Sequence, residues 1–201
     1  METYFIGDYY VSDGTKPIET KLKMPIEWIP LEETEDGRLL LLSKNVLDWE
    51  LYAFEGDSTI YWKESHLFDY LSKLYGSIFS EEEKEAIIEN EYGKIFVLSQ
   101  EEIKRYLPTD EKRRAVAFFI YKDKDEIKTD IEHSFYWLRG DKCSSDVIPY
   151  VESLGNIDHH YSDADEIGIR PAVWIDKKKA RLITAHKGYN KWHHFWDCEE
   201  F

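Results

Sequence analysis

The chain has 201 residues, of which 42% are hydrophobic and 33% charged, and this balance is typical of a folded domain rather than of a disordered protein. Its formal net charge of −15 argues against binding to duplex nucleic acid, because such binding needs clustered Lys and Arg. The charge leaves a basic protein surface or a cation as partner classes, beside a merely solvated acidic surface.

The start of the sequence and the cysteines bear on localisation. Residues 1–5 lack the basic segment and apolar run of a signal peptide, and no stretch reaches the ~20 apolar residues of a membrane span. Cys143 and Cys198 lie far apart, which is typical of a reducing compartment rather than of a disulfide framework. We therefore expect a cytoplasmic protein that does not enter a membrane. We also expect no cofactor.

The first elements are predicted to be strands. Residues 1–25 are punctuated by Gly and Pro, and we expect an N-terminal arm or a short edge hairpin there. A partly alternating strand is predicted over residues 26–31. Asp36-Gly37 is a hairpin turn signal, and the leucine run over residues 38–43 predicts a strand buried on both faces.

Helices follow in the middle of the chain. Apolar residues at helical spacing predict a helix over residues 67–75, with Gly76 as its C-terminal stop. Ser80 and Glu83 form a capping-box pattern for a helix that should run to about residue 89. A second capping box begins at Ser99, and its helix must end before Pro108.

The second half is predicted to be mostly strands, over residues 94–98, 134–139, 147–151, 167–175 and 180–185. Between them, residues 155–168 are predicted to be an acidic loop. Helices mainly in the first half and an antiparallel or mixed sheet mainly in the second indicate a single-domain α+β fold.

Several motifs together resemble a family of uncharacterised bacterial and phage domains of unknown function. The resemblance extends over residues 26–176 and depends on the order of its motifs, which are Ile26-Glu27-Trp28, Trp62-Lys63-Glu64-Ser65-His66, Leu98-Ser99-Gln100-Glu101-Glu102, Tyr136-Trp137-Leu138-Arg139 and Gly168-Ile169-Arg170-Pro171-Ala172. Residues 177–201 lie outside it and are expected to form a C-terminal strand with an aromatic tail, packed on the same domain.

The same motifs are more remotely similar to the C-type-lectin-like fold of formylglycine-generating enzymes. This similarity implies a fold and not a reaction, because Cys143 and Cys198 cannot be placed as the cysteine pair of those oxidases. We therefore predict no catalytic residues.

Trp137, Arg139 and Arg170 are the candidate ligand-binding residues. Trp137 and Arg139 are two positions apart on a predicted strand and share a face, and two neighbouring arginines could bind a carboxylate or phosphate. The competing interpretation is that each arginine forms a buried ion pair that holds the strands in register.

Two further segments are candidates for partner binding. The acidic loop carries Asp158, His160, Asp163 and Asp165. Such carboxylates could hold Ca²⁺, and His with Asp could hold a transition metal, but the spacing is not that of an EF-hand, and we expect a polar surface loop without a metal. The tail carries aromatic and basic-tipped side chains, namely Trp192, His193 and Trp196. Aromatic anchors beside charges are typical of interface centres, although the tail could also be a closing strand whose rings pack inward.

These observations favour a non-enzymatic binding module that engages a protein with a basic surface. Because related domains occur in phages, one form of this hypothesis is an inhibitor of a host enzyme that acts on nucleic acid. The alternatives are an enzyme or small-ligand-binding protein with its site near Trp137, Arg139 and Arg170, and a structural component of a larger assembly.

Overall fold

The computed structural model describes residues 2–11, 22–54, 59–117, 121–123, 126–128, 134–145, 147–165 and 167–196. Within these ranges the side chains of residues 10–11, 22–23, 121–128 and 188–196 are not described. The α-helices are α1 (His66–Ile78), α2 (Glu81–Ala86), α3 (Gln100–Tyr106), α4 (Asp110–Arg113) and α5 (Lys177–Trp196). The strands are β1 (Tyr4–Val11), β2 (Leu22–Glu33), β3 (Arg38–Ser43), β4 (Asp48–Trp49), β5 (Ile60–Tyr61), β6 (Ile87–Ile88), β7 (Tyr121–Asp123), β8 (Glu126–Lys128), β9 (Tyr136–Trp137), β10 (Lys142–Cys143), β11 (Ile148–Val151), β12 (Ile157–His160), β13 (Gly168–Ile169) and β14 (Ala172–Asp176).

The large sheet has the strand order β1-β2-β3-β14-β6, and all of its pairings are antiparallel. Its centre is β3, whose residues Leu39–Leu42 are all buried, as the leucine run predicts. The turn predicted at Asp36-Gly37 joins β2 to β3, and Gly37 adopts the left-handed conformation that such a turn needs. The N-terminal segment supplies β1, which is the edge strand of this sheet.

A second, mixed sheet has the order β12-β11-β9-β13-β4, in which β13 runs parallel to β9. Two neighbouring segments of chain connect the two sheets. One leads from β3 to β4 and the other from β13 to β14, and they hydrogen-bond through Ser43 N to Pro171 O and Leu47 N to Ile169 O, each at 2.8 Å. The single strand expected over residues 167–175 is therefore two strands in two sheets, separated at Arg170-Pro171.

Both capping boxes are confirmed. Ser80 and Ser99 each accept a hydrogen bond from the backbone of a Glu three residues on, and that Glu accepts one in return. Two predicted helix ends are wrong. The first helix continues past Gly76 to Ile78, and α2 ends at Ala86 because Ile87–Ile88 leaves the helix to pair with β14.

The C-terminal strand predicted over residues 180–185 is also wrong, because this segment lies inside α5. The Asp176 carboxylate accepts a hydrogen bond from Lys179 N at 2.9 Å and so caps the start of the helix. Ala180 and Ile183 are buried three positions apart, which is a helical spacing. The apolar residues of this segment correctly indicate that part of it is buried, but they wrongly suggest the two-residue period of a strand.

Three other strand and loop predictions need correction. Residues 94–98 make only a single bridge, between Phe96 and Ala172, and within residues 134–139 only Tyr136–Trp137 is a strand. The loop expected over residues 155–168 contains β12, which pairs with β11. The α+β class is confirmed, with four helices between residues 66 and 113 and antiparallel and mixed sheets. Among the described residues, no helix is both long and apolar enough to cross a membrane.

Candidate functional site

Arg170 lies where the chain passes from the second sheet to the large sheet, and its side chain is buried there. Its guanidinium donates to the carbonyl oxygens of Ser43 at 2.9 Å, Arg113 at 3.2 Å and Lys44 at 3.3 Å. It also donates to the Tyr136 hydroxyl at 3.2 Å. These acceptors belong to both sheets and to the end of α4, so Arg170 connects the layers of the fold.

Arg139 is equally buried and holds the start of α3 against the second sheet. Its guanidinium donates to Val97 O at 3.0 Å and to the Glu102 carboxylate at 3.1 Å, and it stacks 3.3 Å from the centre of the Tyr92 ring. The same Glu102 oxygen accepts from Ser99 N at 2.7 Å in the capping box. Two motifs that are far apart in the sequence therefore share one hydrogen-bond network.

Trp137 has no exposed surface. Its indole N–H donates to Glu50 O at 2.8 Å, and its ring makes edge contacts with Tyr52 and Tyr150 at centroid distances of 5.7 and 6.3 Å. The Tyr52 hydroxyl in turn exchanges hydrogen bonds with the backbone of Gly140. We call Trp137, Arg139 and Arg170 the signature frame, because they join the family motifs to one another.

The glycine of the motif that contains Arg170 is explained by packing. A Cβ atom on Gly168 would overlap Val46 Cγ1 and would lie 2.9 Å from Phe135 O. Gly168 N donates to that same Phe135 oxygen at 3.0 Å. Only glycine lets β13 approach β9 this closely.

A different arrangement surrounds Ser162. Its carbonyl oxygen accepts hydrogen bonds from Tyr52 N at 2.8 Å and Ala53 N at 3.0 Å, and its N–H donates to Ser145 O at 2.8 Å. Three segments that are distant in sequence thus meet at one buried serine. We define residues 52–54, 141–145, 147 and 158–165 as the Ser162 face.

Large apolar side chains on this face point to solvent. Phe54 is 60% exposed, Tyr161 61% and Val147 48%. The Phe54 ring contacts the His66 ring at 4.5 Å, and Tyr161 contacts His160 at 6.0 Å, so each exposed ring is supported by a histidine. His66 also lies 3.2 Å from the Glu50 carboxylate. Scattered exposed apolar residues are ordinary, whereas a contiguous exposed apolar patch is typical of interaction sites.

Exposed acidic side chains belong to the same face. Asp158 lies on β12, Asp163 and Asp165 follow it in the turn, and Asp141 precedes β10, all of them exposed. His160 is half-buried, with its ring 5.8 Å from Tyr150. Four residues predicted to bind a partner, Asp158, His160, Asp163 and Asp165, are therefore brought together with exposed rings that the sequence analysis did not single out.

The other predicted partner-binding residues lie elsewhere. Trp192, His193 and Trp196 belong to the last turns of α5, whose earlier turns pack against the large sheet. Their side chains lie outside the described residues. The closing strand that was considered for this tail does not form, since the backbone is helical to Trp196.

Cys143 is a free, half-buried thiol beside the exposed Asp141. Burial, and to a smaller extent Asp141, raise the pKa of this thiol above its usual value, so it stays protonated at neutral pH. No group of three or more His, Cys, Asp or Glu side chains suited to a metal ion occurs among the residues that the structure describes.

Arg113, Phe54 and Val147 were not predicted from the sequence. Arg113 is buried, and its guanidinium donates to Gly155 O at 2.7 Å and Leu107 O at 2.8 Å. Its own carbonyl oxygen accepts hydrogen bonds from the Arg170 guanidinium and the Tyr136 hydroxyl. No motif marks it. Phe54 could have been suspected, because it stands directly before Glu55-Gly56-Asp57, whose composition is a turn signal in the sequence.

A family model described as a domain of unknown function (DUF6273) matches residues 36–177. The match begins in the turn between β2 and β3, includes the whole signature frame, and ends at the first residue of α5. No curated protein and no solved structure matches the chain.

Proposed function

We propose that this chain, which belongs to the DUF6273 family of domains of unknown function, is a non-enzymatic binding module that takes a basic segment of a partner protein on its Ser162 face. One contrast carries this proposal. The polar groups of the signature frame are directed at the protein's own backbone and side chains, whereas the aromatic rings and carboxylates of the Ser162 face are directed at solvent.

The composition of the face supports a basic partner. Phe54 and Tyr161 offer apolar and π surface, and Asp163 and Asp165 offer negative charge beside them. Lys and Arg side chains can place their aliphatic stems on such rings and their charges near the carboxylates. The net charge of −15 would add long-range attraction and would repel the phosphate backbone of duplex nucleic acid.

Three finer points belong to the same proposal. A C-type-lectin-like arrangement is favoured by loops that carry binding residues on a rigid sheet. A cytoplasmic location is favoured by the free thiol of Cys143. A phage-type inhibitor of a host enzyme is favoured by the acidic surface, whose carboxylates could stand in for phosphates.

Nuclear magnetic resonance can map the face directly. Isotope-labelled full-length protein is titrated with a synthetic peptide rich in Lys and Arg that contains one Trp, and with a control peptide in which every Lys and Arg is replaced by Glu. The proposal predicts shift changes for the basic peptide within the Ser162 face. Changes spread evenly over all acidic surfaces would mean unspecific attraction and would refute the proposal.

A pair of matched variants separates site charge from total charge. Asp163→Asn with Asp165→Asn removes two charges from the face, and Glu35→Gln with Glu89→Gln removes two exposed charges elsewhere. The first variant should weaken peptide binding about tenfold, which is a change of about 1.4 kcal/mol. The second should change it little. Equal losses in the two variants would leave no specific role for the face.

A further inference from the structure

The helix α5 lies on the large sheet with one regular face. Ala180 and Ile183 are buried, the Thr184 hydroxyl accepts a hydrogen bond from Phe5 N at 3.1 Å, and Lys187 reaches Glu83 at 2.7 Å and Asp8 at 3.0 Å. The four helix positions are spaced i, i+3, i+4 and i+7, which is a single stripe along a helix. The stripe contacts β1 and α2.

Charge also distinguishes α5 from the rest of the chain. Between residues 177 and 196 the sequence has six Lys or Arg and no Asp or Glu, in a protein whose net charge is −15. Several of its cations pair with groups of the body: Lys177 with Glu33, Arg181 with Glu2 at 3.3 Å, and Lys179 with Glu85 O at 3.2 Å. The surface beneath α5 is therefore already shown to accept a basic helix.

That surface is held together by contacts that do not need α5. The buried Glu83 carboxylate accepts hydrogen bonds from Gly7 N at 2.7 Å and Ser80 N at 2.8 Å, which joins β1 to the start of α2. Gly7 is in the left-handed region, and a Cβ atom there would lie 2.8 Å from the Phe79 ring. Glu83 therefore joins β1 to α2 by itself, and the Lys187 ammonium is an additional contact to this carboxylate.

The attachment of α5 is weak along most of its described length. Of residues 177–187, only Ala180 and Ile183 are buried, and the Arg181–Glu2 pair is more than half exposed on both sides and open to screening by salt. Three lysines in the first turn also oppose the helix dipole. The family match ends at the first residue of this helix, so nearly all of α5 lies outside the matched residues.

We propose that the surface formed by β1 and α2 beneath α5, here the α5 groove, is a receptor for a basic helix of a partner protein, and that α5 is its displaceable internal occupant. A competing helix would carry the same stripe: a small residue at i, a branched apolar residue at i+3, a hydroxyl at i+4 and Lys at i+7, with basic residues on either side. This groove is separate from the Ser162 face, so either proposal can fail without the other.

A labelled peptide of residues 177–196 tests the groove in the full-length protein. In the unmodified chain the attached α5 competes at high effective concentration, so the added peptide should bind weakly. In the Lys187→Glu chain the new carboxylate faces Glu83 and Asp8 and expels α5. That chain should bind the peptide about tenfold or more tightly than the unmodified chain does.

Matched controls keep the result interpretable. A peptide that itself carries Lys187→Glu should not bind, and raising salt from about 0.1 to 1 M, which shortens the Debye length from about 10 to 3 Å, should release the wild-type peptide. Hydrogen exchange should show α1 still protected in the variant chain while α5 is exposed. If Lys187→Glu prevents folding, the surface variant Lys177→Glu with Arg181→Glu is used in its place.

Failure of both variant chains to bind the peptide would overturn the proposal, as would equal binding of the wild-type and Lys187→Glu peptides. Protection of α5 that depends on protein concentration, together with a dimer in light scattering, would place the helix of a second copy in the groove. That result would overturn the assignment to a different protein.

Discussion

The signature frame and the Ser162 face contain the same kinds of chemical group, aromatic rings and charges, in opposite arrangements. In the frame, the Arg139 and Arg170 guanidinium groups are buried against carbonyl oxygens, carboxylates and rings of the protein itself. On the face, the rings of Phe54 and Tyr161 are mostly exposed beside exposed carboxylates. Residues that define a family through folding need not be the residues that bind a partner, and the binding residues proposed here lie outside the family motifs.

The largest effect that separates the two regions is expected from Trp137→Ala. The ring is fully buried between Tyr52 and Tyr150, so its removal should lower the free energy of unfolding by about 3–5 kcal/mol. Denaturant titration followed by circular dichroism measures this loss. If the unfolding midpoint is unchanged and peptide binding is lost, Trp137 is a binding residue and not part of the structural frame.

Arg170→Met should be nearly as costly. The thioether fills part of the space, but the carbonyl oxygens of Ser43, Lys44 and Arg113 lose a donor at the crossing between the sheets. Losing these donated hydrogen bonds should cost about 3 kcal/mol in total. Arg170→Lys should recover only part of it, because an ammonium cannot reach all of these acceptors in the guanidinium geometry. Full stability of the Met variant would contradict the structural role.

A smaller effect is expected at the capping serines. Ser80→Ala and Ser99→Ala should each lower the free energy of unfolding by about 0.5–2 kcal/mol. The two losses should be similar, because each box carboxylate also holds distant groups: Glu102 binds Arg139, and Glu83 binds Gly7 N and Lys187. Thermal unfolding of the two variants side by side measures both losses, and an unchanged unfolding midpoint in either variant would contradict a stabilising role for its capping box.

The pH dependence of stability tests the role of the buried Glu83 carboxylate. Burial alone would raise the pKa of Glu83, but Lys187 and the N–H groups of Ser80 and Gly7 outweigh it and hold the pKa below its usual value. Glu83 therefore contributes stability that is present above about pH 4.5 and is lost as the pH falls through the lowered pKa. Unfolding midpoints of the Glu83→Gln variant should fall less between neutral and acid pH than those of the wild type. An equal fall would contradict this role.

Local signals predicted much of the frame. Capping boxes depend on residues three apart, and the leucine run of β3 and the turn at Gly37 are equally local, so each was predictable from the sequence. Several partners of Arg139 and Arg170 are backbone carbonyls, up to 127 residues away, and no side-chain pattern records a carbonyl. The competing interpretation of buried arginines was available from the sequence, but the acceptors were not.

The Ser162 face was only half predictable. Asp158, Asp163 and Asp165 are neighbours in the sequence and were visible as an acidic segment. Phe54 joins them through backbone hydrogen bonds of Tyr52 and Ala53 to Ser162, which have no sequence signature. The helix α5 was missed for a different reason: its buried residues Ala180 and Ile183 are too few to show whether the apolar period is helical or that of a strand.

The most direct test compares exposed rings on and off the Ser162 face. Phe54→Ser with Tyr161→Ser removes the rings from the face, and Leu182→Ser removes an equally exposed side chain from α5. Stability should change by no more than about 0.5 kcal/mol in either variant. The measurement is the affinity for the basic peptide by fluorescence anisotropy. The double variant should bind about tenfold more weakly and Leu182→Ser as tightly as the wild type. Unchanged affinity in the double variant would contradict the assignment of binding to this face.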